Sequence, residues 1–271
     1  MSAVMSVVSN RELLWNFTLR ELRTKYRRSF LGWTWSMLNP LATLAIYWFV
    51  FGVIFNAVAP IGSPSGLDSY ALFLLCGLIP WNFFALMCNL GIGAITANAG
   101  LVRRVAFPRE VLVFANVLHA CVQYLIELTL LCIILLIAGS PLLPWLPLTL
   151  LVSVFLAMFG SGFALALGAL AVYFRDLAYL WTIVIQVWFF ATPIIYPPSL
   201  LSDRDDIPEW VITILELNPT AVFVRVFRAL LYDAGAPATA DLAAIAVGST
   251  LVLAAGWALF LRLAPRFAEE V

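Results

Sequence analysis

Six apolar stretches, each long enough to cross a lipid bilayer, leave this chain few ways to fold: Gly32 to Phe55, Tyr70 to Thr96, Val111 to Ala138, Pro147 to Tyr173, Tyr179 to Tyr196 and Asp241 to Leu261. A hydrocarbon core about 30 Å thick needs about 20 helical residues at a rise of ~1.5 Å. Lipid offers no partner to a backbone N–H or C=O, so each crossing segment must bond within itself. A barrel would need strand-like alternation, which is absent. The expected fold is an all-α membrane protein with six transmembrane helices. Composition agrees, because 63% hydrophobic and 11% charged residues cannot cover a water-exposed surface, and a soluble domain carries roughly 25% charged residues. Pro193, Pro197 and Pro198 kink or end a helix, which makes the fifth span the least defined.

The formal net charge is zero, which argues against a nucleic-acid partner, yet the charges are segregated along the chain. With six spans, twelve of the fifteen basic residues fall on one side, and only Arg204, Arg225 and Arg228 on the other. The positive-inside rule then places both termini in the cytoplasm. No cleavable signal is visible, so the first span is expected to act as its own insertion signal. Cys76, Cys88, Cys121 and Cys132 lie within spans two and three, where they read as small packing residues. His119 is the only histidine and the cysteine spacing is not finger-like, so no metal is expected.

Before the first span, Trp15, Leu19, Leu22, Tyr26 and Phe30 recur at helical spacing while Arg20, Arg23 and Arg27 mark another face. That pattern predicts an amphipathic helix in the membrane interface, within a cytoplasmic N-terminal segment of residues 1–31. Its arginines either fix topology or recognise a phosphate-bearing lipid. In span three, Asn116, His119, Gln123 and Glu127 share one narrow face. Such a face avoids lipid and serves interhelical hydrogen bonding, a pathway wall or a proton relay. In span four, Gly160, Ala164 and Gly168 form a small-residue ridge for close helix packing.

The chemistry that is missing narrows function. A Ser-His-Asp triad has only mid-span His119 to use, and the carboxylates Asp203, Asp205, Asp206 and Glu209 read as a solvated loop. The sole lysine, Lys25, precedes Tyr26, so no P-loop is present and ATP-driven work must come from another subunit. From Tyr196 to Ala240 the chain is too long for a plain loop, and it holds two short apolar patterns, Trp210 to Leu217 and Ala221 to Tyr232. These predict two re-entrant helices between spans five and six. Phe223, Val224, Phe227 and Leu231 would face inward, with Arg225 and Arg228 toward water or phosphate.

The run LRELRTKYRRSFLGWTWSMLNP into IYWFVFGVIF, within Leu13 to Phe55, resembles the start of the membrane subunit of ABC-2 type polysaccharide exporters. GLIPWNFF at Gly77 to Phe84, NAGLVRRVAFPREVL at Asn98 to Leu112, YFRDLAYLW at Tyr173 to Trp181, TPIIYP at Thr192 to Pro197 and LNP at Leu217 to Pro219 continue the resemblance in order and spacing. It covers nearly the whole chain.

The resemblance implies a half-transporter in the bacterial inner membrane, working as two copies with two ATP-binding cassette subunits that hold ATP and Mg2+. No cofactor belongs to this chain, and no covalent chemistry. Residues 32–271 would form the transmembrane domain, with a coupling loop at about 97–110 and an external gate segment at about 197–240. Arg103, Arg104, Arg109 and Glu110 would face the ATPase. Arg23, Arg27 and Arg28 would contact the pyrophosphate of a lipid-linked polysaccharide, and Tyr47, Trp48, Phe51, Trp81, Phe84, Trp188 and Tyr196 would supply conduit aromatics. Phe223, Phe227, Arg225 and Arg228 would belong to the gate. Fourteen arginines against one lysine point to a GC-rich bacterial genome, with a galactan or O-antigen as cargo. A proton-coupled secondary transporter using Glu127 and His119, and a membrane-embedded lipid enzyme, remain as alternatives.

Overall fold

The computed structural model describes residues 10–25, 34–55, 59–105, 107–197, 213, 215 and 217–271. Helix α1 spans Arg11–Lys25, and α2 spans Trp35–Tyr47 and continues as a π-helical turn over Trp48–Ile54. Then follow α3 Tyr70–Gly93, the short α4 Ala99–Arg104, α5 Glu110–Ile137, α6 Leu146–Tyr173 and α7 Leu177–Ala191. The chain closes with α8 Pro219–Leu231, α9 Thr239–Leu263 and α10 Phe267–Glu270. No strand occurs among the described residues.

Among the described residues, four helical segments are long and apolar enough to cross a membrane: Tyr70–Gly93, Glu110–Ile137, Leu143–Tyr173 and Thr239–Glu270. They account for four of the six expected spans. The fifth expected span stops early, because the helix ends at Ala191, ahead of Pro193. Its 15 residues extend about 22 Å, less than a hydrocarbon core. The first is likewise a shorter apolar helix, Pro40–Ile54.

Helix α3 is the axis of the bundle. Its most apolar window is 83% buried within the chain, against 22% for α9 at the rim. It packs against α5, α6, α7 and α8, while α9 lies along α6. Small residues permit these approaches. The α6 ridge meets α3, where a Cβ on Gly91 would sit 2.6 Å from Ala164 Cα and one on Gly168 would sit 2.7 Å from Gly91 O. The other side of α6 meets α9, where a Cβ on Gly256 would lie 2.0 Å from Gly162 O. Backbones this close gain dispersion contacts, which lipid does not supply between larger side chains.

A valine at Gly256 should therefore push α9 off α6 and cost about 1–3 kcal/mol. Gly248, on the same helix but facing open space, should accept valine with little loss. Thermal unfolding of both variants in mild detergent checks the contrast; equal midpoints would show that the α6–α9 approach carries no stability.

Candidate functional site

At one end of the bundle, α8 is fastened into the gap where α7 stops. Asn218 caps α8, its Oδ1 accepting from Thr220 N at 3.1 Å, with Pro219 at the first helical position. That follows the preference of helix starts for Asn, and for Pro where no N–H bond is lost. The same carboxamide donates to Ala191 O at 3.1 Å and accepts from Trp188 Nε1 at 2.9 Å, while Thr192 and Thr220 share a 2.8 Å hydroxyl bond. One side chain thus ends α7 and begins α8.

Arg228 completes the joint. The expectation that it faces water is overturned: it is 6% exposed, and its guanidinium lies 3.7 Å from the centroid of the Phe73 ring. It donates to Phe73 O at 3.3 Å, to Pro193 O at 2.6 Å and to Ile194 O. The physical reason is that the break after α7 leaves carbonyls without helical N–H donors, and a guanidinium offers five donors in one fork. Arg225 remains exposed and grips Asp241 with two bonds of 2.8 Å, tying α8 to the start of α9. Phe223 and Phe227 are buried, as are Val224 and Leu231. The expected neighbouring helix Trp210 to Leu217 lies largely outside the described residues.

The loop before α3 closes over this end. Tyr232 Oη donates to Pro60 O or Leu67 O, both at 3.0 Å, and Ser65 Oγ donates to Tyr232 O at 2.6 Å. Partial burial raises the Asp233 carboxyl above its ordinary range, opposed by the Ser63 amide and by Arg228.

The expected conduit aromatics divide by exposure. Trp81 and Phe84 are buried in a cluster with Phe159, Phe163 and Trp188, so within one copy they join α3, α6 and α7. Tyr47, Phe51, Trp188 and Tyr196 are half-buried, with Phe51 stacked on Tyr70 at 5.0 Å. Trp48, 58% exposed, presents its ring outward.

At the opposite end, α4 carries Arg103 and Arg104 fully outward above a buried Val102. Arg109 and Glu110 differ from them. Arg109 donates to Ala264 O and lies 5.9 Å from the Phe267 ring, holding the C-terminal turn, while Glu110 is buried at the start of α5. Helix α1 packs on α5 through buried Thr18 and Leu22, and Arg20 reaches Asn98 Oδ1 at 2.8 Å just before α4. Trp15, read as part of the apolar face, points outward at 58% exposure. Arg23 is exposed; Arg27 and Arg28 lie outside the described residues.

The polar face of α5 turns toward α3. Asn116 Nδ2 donates to Leu90 O at 3.0 Å, Gln123 Nε2 donates to Glu127 Oε1 at 2.9 Å, and His119 and Glu127 are buried. Among the described residues no cluster of His, Cys, Asp and Glu could hold a metal.

The ABC-2 type transporter family model matches residues 12–232, from α1 through the end of α8. The chain belongs to that family. Its relatives include the O-antigen export system permease protein RfbA of Klebsiella pneumoniae, 28% identical over 259 residues that cover 95% of this chain and 94% of that protein. The RfbA permease of Myxococcus xanthus is 29% identical over 272 residues, covering 99% and 98%. The polysialic acid transport protein KpsM of Escherichia coli is 34% identical over 118 residues, 43% of each chain. This ABC-2 protein is therefore a multi-pass membrane protein.

Sequence reasoning missed three features of the site. The signature Asn218-Pro219-Thr220 marks a helix start that the two short apolar patterns alone do not reveal. Arg228 gave no signal, since only the fold reveals the carbonyls it serves. Asn82 and Asn89, seven residues apart in an apolar span, were the visible sign of a second polar face.

Two outcomes follow. Replacing Arg228 by Met should lower stability by about 2–3 kcal/mol, because buried carbonyls lose a charged donor, while Arg225→Met, at an exposed pair, should cost under about 1 kcal/mol; unfolding in detergent reads both. For Asp233 the folded pKa is raised, so its contribution is fully present below the ordinary carboxylate value and is lost as pH rises through the folded one. Asp233→Asn should therefore melt higher than the parent at pH 7, with the difference closing as pH falls toward 4.

Proposed function

We propose that this chain is the membrane subunit of an ATP-driven exporter that moves a lipid-linked polysaccharide out of the cytoplasm. The near full-length likeness to two O-antigen export permeases carries this reading. In it, two copies pair, the shorter apolar helices α2 and α7 complete six crossings, and α7 and α8 line the outer side as gate. Both termini lie in the cytoplasm of a bacterial inner membrane, in keeping with the bias of basic residues. ATP and Mg2+ would bind two partner ATPase subunits, since this sequence holds no P-loop.

Within that scheme Arg103 and Arg104 are the contacts to the ATPase, because they project from α4 while Arg109 and Glu110 are turned inward. Arg23, with Arg27 and Arg28, would meet the lipid pyrophosphate, whose oxygens match guanidinium geometry. Trp48, Tyr47, Phe51, Trp188 and Tyr196 are the expected conduit aromatics with surface free to stack on sugar faces. ATP shifts the partners between two states, and only contacts that differ between them drive the change.

Affinity purification in mild detergent followed by mass spectrometry tests the assembly. A P-loop protein at equal amount is expected, and a chain that emerges alone would refute the exporter reading. In the intact complex, the double substitution Arg103→Ala and Arg104→Ala should cut both stimulated ATPase and glycan surface display about tenfold, the effect of ~1.4 kcal/mol of lost coupling. Unchanged values for both would remove α4 from the coupling role.

A further inference from the structure

Helices α3 and α5 run antiparallel and tie at one end through Asn116 and Leu90. About two turns further on, near the middle of both helices, they part around a cavity of about 280 Å³. Its wall carries Asn82 and Asn89 from α3 and Gln123 and Glu127 from α5, over a floor where Phe83 stacks on Tyr124 at 4.3 Å. Asn82 and Asn89 are exposed and have no hydrogen-bond partner among the described residues. That space, which opens to the outside of the bundle, has room for several waters beside them.

Hydrocarbon cannot solvate open carboxamides within a span, one at the middle of α3 (Asn82) and one a turn from its end (Asn89), so in the membrane this wall faces water or a polar occupant. The wall's chemistry narrows the occupant. Each carboxamide offers donors and acceptors together, and so pairs with hydroxyl groups, which also do both. Glu127, which accepts from Gln123, adds carboxyl oxygens to the wall, and among the described residues no cationic side chain lines the cavity. Phosphate would therefore meet an acidic group and no counter-charge there, whereas a neutral polyol meets amides, a carboxyl group and an aromatic floor.

Resting on the exporter reading above, we infer that the α3–α5 cavity is a sugar-binding subsite on the conduit wall, where Asn82, Asn89, Gln123 and Glu127 hydrogen-bond the hydroxyls of a neutral stretch of the passing glycan. The anionic lipid anchor takes another route past this depth. A second copy packed against the same wall is the competing occupant.

Cysteine accessibility separates these. With the four native cysteines replaced, Asn82→Cys and Asn89→Cys are placed singly in the full chain and expressed with its partners. Both positions are open, so neither substitution displaces a packed atom. Leu125→Cys, exposed on another face of α5, serves as the lipid-facing control. Permeabilised cells are treated with a water-soluble maleimide, in a strain that makes surface glycan and in one whose glycan synthesis is blocked.

The subsite predicts labelling at 82 and 89, but not at 125, when synthesis is blocked. Labelling should fall about fivefold during export, as a site occupied about four-fifths of the time gives by mass action. No labelling in either strain would show a wall covered by a second copy or by lipid, and equal labelling in both would show a wet wall that glycan does not touch; each overturns the inference. The double variant Asn82→Leu, Asn89→Leu should lower surface glycan while the partner ATPase still co-purifies. Failure of the exporter reading looks different, because deleting the whole chain would then leave surface glycan unchanged.

Discussion

Every break in a helix inside a membrane leaves backbone groups that lipid cannot satisfy, and the arrangement of this protein turns on how one such break is closed. Where α7 ends near Pro193, the freed carbonyls are met by Arg228 from α8. Burying a guanidinium without a carboxylate beside it is costly unless its donors are used. Here three carbonyls use them and the Phe73 ring covers one face. Asn218 solves the companion problem at the start of α8, so the turn between α7 and α8 holds together without a continuous helix.

That solution makes the two ends of the bundle physically unlike. The end with α8 spends its cations internally: Arg228 on carbonyls, and Arg225 on Asp241. The end with α4 leaves Arg103 and Arg104 in solvent. A desolvated, fully bonded arginine fixes a shape, while an exposed one remains available to a partner. The same residue type thus occurs in two settings, bonded within the chain at Arg225 and Arg228 and open at Arg103 and Arg104.

Spans two, three, four and six are legible in the sequence because each is a long apolar run between polar turns, and the ridge Gly160, Ala164 and Gly168 marks a face for close packing. The end of the fifth span was read too far, since apolar residues continue through Ile194 and Ile195 after the helix has stopped. Hydropathy measures burial, not backbone conformation. Arg228 was misplaced for a related reason: periodicity tells which residues share a helix face, but not whether that face meets water or orphaned carbonyls. Arg103, Arg104 and Arg109 stand together in the sequence, while their division into exposed Arg103 and Arg104 and inward Arg109 needs the C-terminal turn that Arg109 holds.

The packing of α3 also constrains where a polymer could pass. A central helix buried along most of its length, with Trp81 and Phe84 wedged among Phe159, Phe163 and Trp188, fills the middle of a single copy. Opening a lumen there would expose that aromatic joint and separate backbones that Gly91 and Gly168 hold in contact. In the proposed exporter the path therefore runs along the outside of each copy, between two of them. On that outside, the polar α3–α5 wall with Asn82 and Asn89 and the outward ring of Trp48 are surfaces with sugar-compatible chemistry. A filled bundle with a polar outer wall suits a conduit made by pairing, whereas a carrier built from one chain would need its polar site inside.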